Sequence, residues 1–150
     1  LFGEGFRYHL ILIGKKLMTT PRTLLAIDIG AESGRAMAIH FDGQRLTLNE
    51  RYRFPNVPVR VGGTLHWDIL RLWGDVQAGI KQASSVEPVD AIGIDTWAID
   101  FGLIDRAGRL IGNPVHYRDS RTDGVMDTVF NQVLRADVFA QTGIQLLPFN

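Results

Sequence analysis

The chain has 150 residues, 16 basic and 16 acidic side chains that balance to zero net charge, and no cysteine. That length builds one domain with a substantial core, and the neutral balance removes the electrostatic case for nucleic acid or an anionic membrane as partner. Without thiols there is no disulfide framework and no thiolate metal site, which fits a cytoplasmic protein, and no apolar run approaches the ~20 residues of a membrane span.

The first segment, "LFGEGFRYHLILIGKK", has an apolar stretch too short for a signal peptide, and its lysines follow that stretch rather than precede it. Met18 begins a more ordinary start, so residues 1–17 are expected to be a non-native or upstream leader, with a native extra strand as the alternative. Thr23 to Ile29 reads as a short apolar strand ending near Asp28. In "RAMAIHF" Met37, Ile39 and Phe41 alternate with Ala36, Ala38 and His40, the period of a strand. "DGQ" is a hairpin turn and "RLTLNERYRF" a third strand, ended by Pro55 and Pro58.

After a turn at "GGT", Asp68 is placed to cap a helix, with Trp67 and Leu72 as a hydrophobic staple. Ile69, Trp73, Val76, Ile80 and Ala83 recur at helical spacing, so Trp73 is expected in the core. "VDAIGIDTWAIDFGLID" reads as one long strand region followed by a turn at "DRAGR". A helical segment carrying Val125, Met126, Val129, Phe130 and Val133 comes next, and a short helix through Val138 and Phe139 ends at Gly143. The chain stops on "LLPFN", which leaves Leu146, Leu147 and Phe149 without obvious cover and suggests a truncation at Asn150.

Three stretches carry chemistry. In "DIGAESGR" the first two strands are joined by a loop too short for a crossover helix, which excludes both a dinucleotide-binding start and a P-loop. Gly30 and Gly34 would let backbone N–H groups approach an anion, Ser33 adds a hydroxyl and Arg35 a cation. Asp28 would repel a phosphate unless Mg²⁺ lay between them, so the set reads as a metal–phosphate site; the same residues also suit a plain β-hairpin with a polar tip. In "AIGIDTWAIDFGLID" Asp95 and Asp100 interrupt an apolar run, where a buried carboxylate needs a partner, a metal, a ligand or water. Thr96, Trp97 and Asp100 suit a sugar, with its apolar faces and hydroxyl rim, while pairing with an arginine is the structural alternative. In "PVHYRDSRTDG" Arg118, Asp119 and Arg121 could clamp hydroxyls, but internal pairing is the simpler reading; His40, His66 and His116 lack metal-ligand spacing.

The succession "DIGAESGR", "GIDTWAIDFGLID", "NPVHYRDSRT", "TGIQLLPFN" resembles the FGGY carbohydrate kinases, within the wider sugar kinase, Hsp70 and actin superfamily. The first segment is common to the superfamily; the other three, in this order, resemble the branch that acts on L-rhamnulose. The resemblance covers about residues 23–150 and implies an α/β, ribonuclease H-like ATPase domain. Residues 18–150 would be the N-terminal part of the first of two domains that flank a cleft. It implies ATP-dependent, Mg²⁺-assisted phosphorylation of L-rhamnulose at its 1-hydroxyl. Ala31, Glu32, Ser33, Gly34 and Arg35 then match the ATP phosphate loop and Asp28 the metal-linked aspartate. Thr96, Trp97, Ala98 and Asp100, with Arg118 and Asp119, fall to the sugar. The family usually has glycine where this chain has Ala98, a departure expected to narrow the sugar pocket by one methyl. The family's catalytic base and adenine pocket are expected outside these 150 residues, so the chain alone is expected to be inactive. A related kinase acting on another ketose or polyol, and a non-catalytic sugar-binding module on the same fold, are the alternatives.

Overall fold

The computed structural model describes residues 20–149; the expected leader at 1–17 lies outside them. Three strands form an antiparallel meander: β1 (Arg22–Ile29), β2 (Ser33–Phe41) and β3 (Leu46–Pro55). The Asp-Gly turn between β2 and β3 is formed as read, with Gly43 at φ 104° and the Asp42 carboxylate accepting the N–H groups of Gln44 and Arg45. A small hairpin follows, β4 (Pro58–Val61) and β5 (Thr64–Trp67), turning at the two left-handed glycines of "GGT".

Helix α1 (Ile69–Val86) begins where Asp68 accepts the Arg71 N–H at 3.1 Å, the cap expected of that carboxylate. Its buried stripe is Leu72, Val76, Gly79 and Ala83, laid against β1, β2 and β3. A methyl at Gly79 would sit 3.0 Å from the Ala36 side chain, so the missing side chain sets how closely helix and sheet approach. Leu25, Ile27 and Ile29 of β1, Ala36 of β2 and Phe54 of β3 complete the core on that face. Trp73 does not join it: it is 54 % exposed, against the expectation from sequence. One helical step of about 100° carries it from Leu72 to the flank of the buried stripe.

The helix returns the chain to β6 (Ala91–Thr96), which pairs parallel with β1 and completes a sheet of order β3-β2-β1-β6. Parallel pairing requires such a crossover. The long strand expected through residue 105 stops at Thr96 because Ala98 (φ 56°) and Ile99 (φ 75°) turn left-handed. β6 is exposed along its whole length, since α1 packs over the meander rather than over this edge. Asp95 is therefore not the buried carboxylate that the apolar run suggested; it is exposed, and Oδ1 accepts the neighbouring Thr96 N–H.

The "DRAGR" turn is present, with an isolated bridge between Ile104 and Leu110. A 3₁₀ turn (Ser120–Thr122) leads into α2 (Val125–Phe130), which ends before Val133, and α3 (Arg135–Thr142), which ends on left-handed Gly143. Leu146 and Leu147 are half-buried, and Phe149 meets the Tyr117 ring edge-on at 5.7 Å. Leu146 and Leu147 thus find partial cover within the chain, contrary to expectation, while Phe149 stays exposed as expected.

Candidate functional site

Two of the sequence stretches emerge side by side. In the parallel register Ile29 is opposite Thr96, so the loop after β1 and the segment after β6 leave the same edge of the sheet. The carboxyl ends of parallel strands are where α/β proteins place ligands.

The loop after β1 is tight. Gly30 N–H donates to Ser33 O at 2.9 Å, and a methyl at Gly30 would lie 2.9 Å from that same oxygen. Asn56, just past β3 and buried, binds it from outside: Nδ2 donates to Gly30 O at 3.0 Å, and its backbone N–H to Glu32 O at 2.9 Å. Sequence reading passed over Asn56. The signal was a polar residue between two prolines, directly after a strand. Gly34 serves a different end from the one expected. A methyl there would fall 2.2 Å from Phe54 Cζ, so its vacancy is filled by a buried core ring rather than held open for a ligand.

Arg35 and Asp28 are paired across β1 and β2, and both Arg35 contacts fall on Asp28 Oδ2, from Nε at 2.8 Å and from Nη2 at 2.7 Å. Asp28 is also opposite Asp95 on β6, so Arg35, Asp28 and Asp95 stand in one lateral row. Both members of the ion pair are nearly half exposed. Among the described residues no cluster of three or more histidine, cysteine or acidic side chains could hold a metal. Mg²⁺ is commonly held by one or two carboxylates with water and phosphate oxygens completing its shell, and Asp28 keeps Oδ1 outside both Arg35 bonds.

On the other side, Asp100 is the centre of the site. Its Oδ2 accepts two indole N–H groups, Trp67 Nε1 and Trp97 Nε1, each at 2.7 Å. The two indole rings are 4.5 Å apart between centroids and tilted, and Trp67 is also stacked on His116 at 4.0 Å. Ala98 N–H reaches Thr96 Oγ1 at 3.4 Å, and Asp100 N–H closes a tight turn on Ala98 O at 2.9 Å. With φ of 56°, Ala98 occupies backbone space that favours glycine. This is a conformational reason for glycine at that position, beside the pocket-narrowing one read from sequence.

Of the residues in "YRDSR", Asp119 is buried and its carboxylate is taken by backbone: Oδ2 accepts Leu65 N–H at 2.6 Å and Oδ1 accepts Arg121 N–H at 3.0 Å. These two bonds hold its pKa below the ordinary carboxylate value. Asp119 therefore fastens this loop to β5. The Arg118 guanidinium stacks over Tyr117, 5.1 Å from the ring centre. Its backbone N–H donates to His116 Nδ1 at 2.9 Å, which leaves the proton of a neutral ring on Nε2. Burial lowers the His116 pKa. Asp100, His116, Tyr117 and Arg121 border an open, mostly apolar cavity of about 380 Å³ that runs down to α2 and α3. Asp100 thus faces this cavity and also a smaller one beside Thr96, Trp97 and Ala98.

No helix among the described residues is long and apolar enough to cross a membrane.

A family model described as "FGGY family of carbohydrate kinases, N-terminal domain" matches residues 23–150. A rhamnulokinase of Enterobacter sp. (strain 638) is 48 % identical over 134 residues, which are 87 % of this chain and 27 % of that protein. The chain thus spans little more than a quarter of that relative's length. Among solved structures, gluconate kinase from Lactobacillus acidophilus superposes with a TM-score of 0.70 at 13 % identity, over 87 % of this chain and 26 % of that one. Plasmodium falciparum glycerol kinase with ADP superposes at 0.70 and 14 % identity, over 85 % and 26 %. At such identities the likeness concerns the fold, which is the ribonuclease H-like α/β fold read from sequence. The chain belongs to the FGGY family of carbohydrate kinases, and residues 23–150 correspond to its N-terminal domain.

Proposed function

We propose that this chain is part of an ATP-dependent sugar kinase that phosphorylates L-rhamnulose at its 1-hydroxyl and acts in the cytoplasm. The observation that carries the reading is the register of β1 with β6: it brings the 30–35 loop and the 96–100 segment out at one sheet edge. A phosphoryl donor and a hydroxyl acceptor have to meet in such a place, because phosphoryl transfer is largely positioning and charge stabilisation. The rhamnulokinase relative supports L-rhamnulose as the acceptor.

In this reading Ala31, Glu32 and Ser33 present the loop backbone to the phosphates, with Arg35 as the nearby cation, while Gly34 makes room for the Phe54 ring beneath the loop. Asp28 is the carboxylate that would face Mg²⁺, and that ion when bound would neutralise phosphate charge. Trp97 offers an apolar face to the sugar, and Thr96 and Asp100 offer polar groups to its hydroxyls. Ala98 limits the space beside them. Arg118 flanks the site, and Asp119 contributes by fastening the loop that carries Arg118. We assign no catalytic base within residues 20–149.

The test is ADP release by the full gene product, assayed with L-rhamnulose, other ketoses and polyols. L-Rhamnulose is expected to give the highest kcat/KM. Preference for another ketose or polyol would move the acceptor assignment while keeping the kinase. Sugar binding without ADP release from any member of the panel would leave a sugar-binding module. Residues 1–150 alone are expected to release no ADP in response to sugar.

A further inference from the structure

Trp67 belongs to β5, apart from the segment after β6 that carries Asp100, and nothing in its sequence neighbourhood ties it to a ligand. Yet it is 1 % exposed and directs its only polar atom at Asp100 Oδ2, 2.7 Å away. An indole N–H donates and never accepts, so the carboxylate is the acceptor in both the Trp67 and Trp97 bonds. The distances are those of bonds to a charged acceptor. Both fall on one oxygen, and Oδ1 takes neither indole.

The segment so held has reason to be held. Asp100 follows two left-handed residues, one of them the β-branched Ile99, for which that conformation is strained. Trp67 in turn is fixed from its other side, by its backbone N–H on Pro114 O at 2.9 Å and by the His116 ring stacked on it. A rigid donor thus grips a strained turn through one carboxylate oxygen.

We propose that Trp67 is a positioning residue for the sugar: together with Trp97 it fixes Asp100 so that Oδ1 meets a hydroxyl of the acceptor in one orientation. This rests on reading residues 96–100 as the sugar-facing segment. Trp67 touches no substrate in this arrangement and acts only through Asp100.

The test uses the full gene product with Trp67→Phe, Asp100→Asn and the double variant. Phenylalanine keeps a ring against His116 and deletes the N–H. Loss of a hydrogen bond to a charged group is expected to raise the KM for L-rhamnulose about tenfold, with the KM for ATP little changed. Because Trp67 acts through Asp100, the double variant should be no worse than the worse single one. Independent, multiplying effects would overturn the proposal, as would equal losses toward ATP and sugar. A second arm needs neither turnover nor a substitution at Trp67. Asp100→Asn should shift the indole N–H resonances of Trp67 and Trp97 and leave that of exposed Trp73 in place. If L-rhamnulose is not a substrate, the functional reading fails and this arm decides. Unmoved Trp67 and Trp97 resonances would overturn the positioning role.

Discussion

Replacing Ala98 with glycine tests the turn that ends β6. The residue has φ of 56°, in the left-handed region, where a side chain costs an ordinary L-residue roughly 1–2 kcal/mol. Glycine escapes that cost but gives up roughly 0.5–1 kcal/mol to the greater freedom of its unfolded chain. The balance predicts that Ala98→Gly stabilises the folded protein by about 0.5–1 kcal/mol, where most substitutions destabilise. Ala98→Val should do the opposite, because a β-branched side chain fits this conformation worst. Urea unfolding of the full gene product, followed by tryptophan emission, measures both. If Ala98 also limits the sugar pocket, Ala98→Gly should change the KM for L-rhamnulose and leave that for ATP. One methyl in a pocket is worth at most about 1–3 kcal/mol. Destabilisation by Ala98→Gly would refute the backbone argument, and an altered ATP constant with an unchanged sugar constant would refute the placement beside the sugar.

Three other perturbations probe the remaining parts of the site. Gly34→Ala puts a methyl 2.2 Å from the buried Phe54 ring, so it should cost about 1–3 kcal/mol in urea unfolding, with part regained in Gly34→Ala/Phe54→Leu; a neutral Gly34→Ala would mean that the ring lies elsewhere. Asp28→Ala and Arg35→Ala break a half-exposed pair worth at most about 1 kcal/mol, so the fold should survive while the KM for ATP rises or turnover falls; wild-type kinetics in both variants would remove them from the nucleotide site. His116 and Asp119 both have lowered pKa values in the fold, so each contributes stability above its unfolded pKa that is lost as pH falls toward the folded one. The urea midpoint should therefore decline as pH drops below 6.5 for His116, and further below 3.8 for Asp119. A midpoint that rises on acidification through the first window would contradict the buried, neutral His116.

The meander was legible in the sequence because its determinants are local. Alternation from Ala36 to Phe41, the Asp-Gly pair at 42–43 and the Asp68 cap each act within a few residues. Gly143 as a helix terminator was readable for the same reason. The features missed depend on what lies across space. Trp73 has the spacing of a core residue, but it falls on the flank of the buried stripe of Leu72, Val76, Gly79 and Ala83. Asp95 is surrounded in sequence by apolar neighbours, yet its strand lies at an edge that α1 does not cover. The glycine at 34 was assigned to ligand approach because nothing local reveals that Phe54 sits over it. In the candidate site, Asp28, Ser33, Gly34, Arg35, Thr96, Trp97 and Asp100 were singled out from residue type, and Ala31, Glu32 and Ala98 through the family resemblance, whereas Asn56 and Trp67 owe their contacts to partners 26 and 33 residues away.

The register of β1 with β6 also governs the order in which the two halves of the site form. The hairpin that makes the 30–35 loop closes between neighbouring strands, a contact of short sequence span that forms early and needs little help. The 96–100 segment reaches its place only after the chain has passed through the small hairpin and the 18-residue helix, and Leu24 has found Ala91. Closing so long a loop is entropically costly and is repaid only when the helix packs against the meander. A nascent chain of this protein would accordingly form the hairpin around residues 30–35 before residues 96–100 reach their place beside it. Lesions that loosen α1 from the sheet, at Gly79 for instance, should erase the second half of the site while sparing the first.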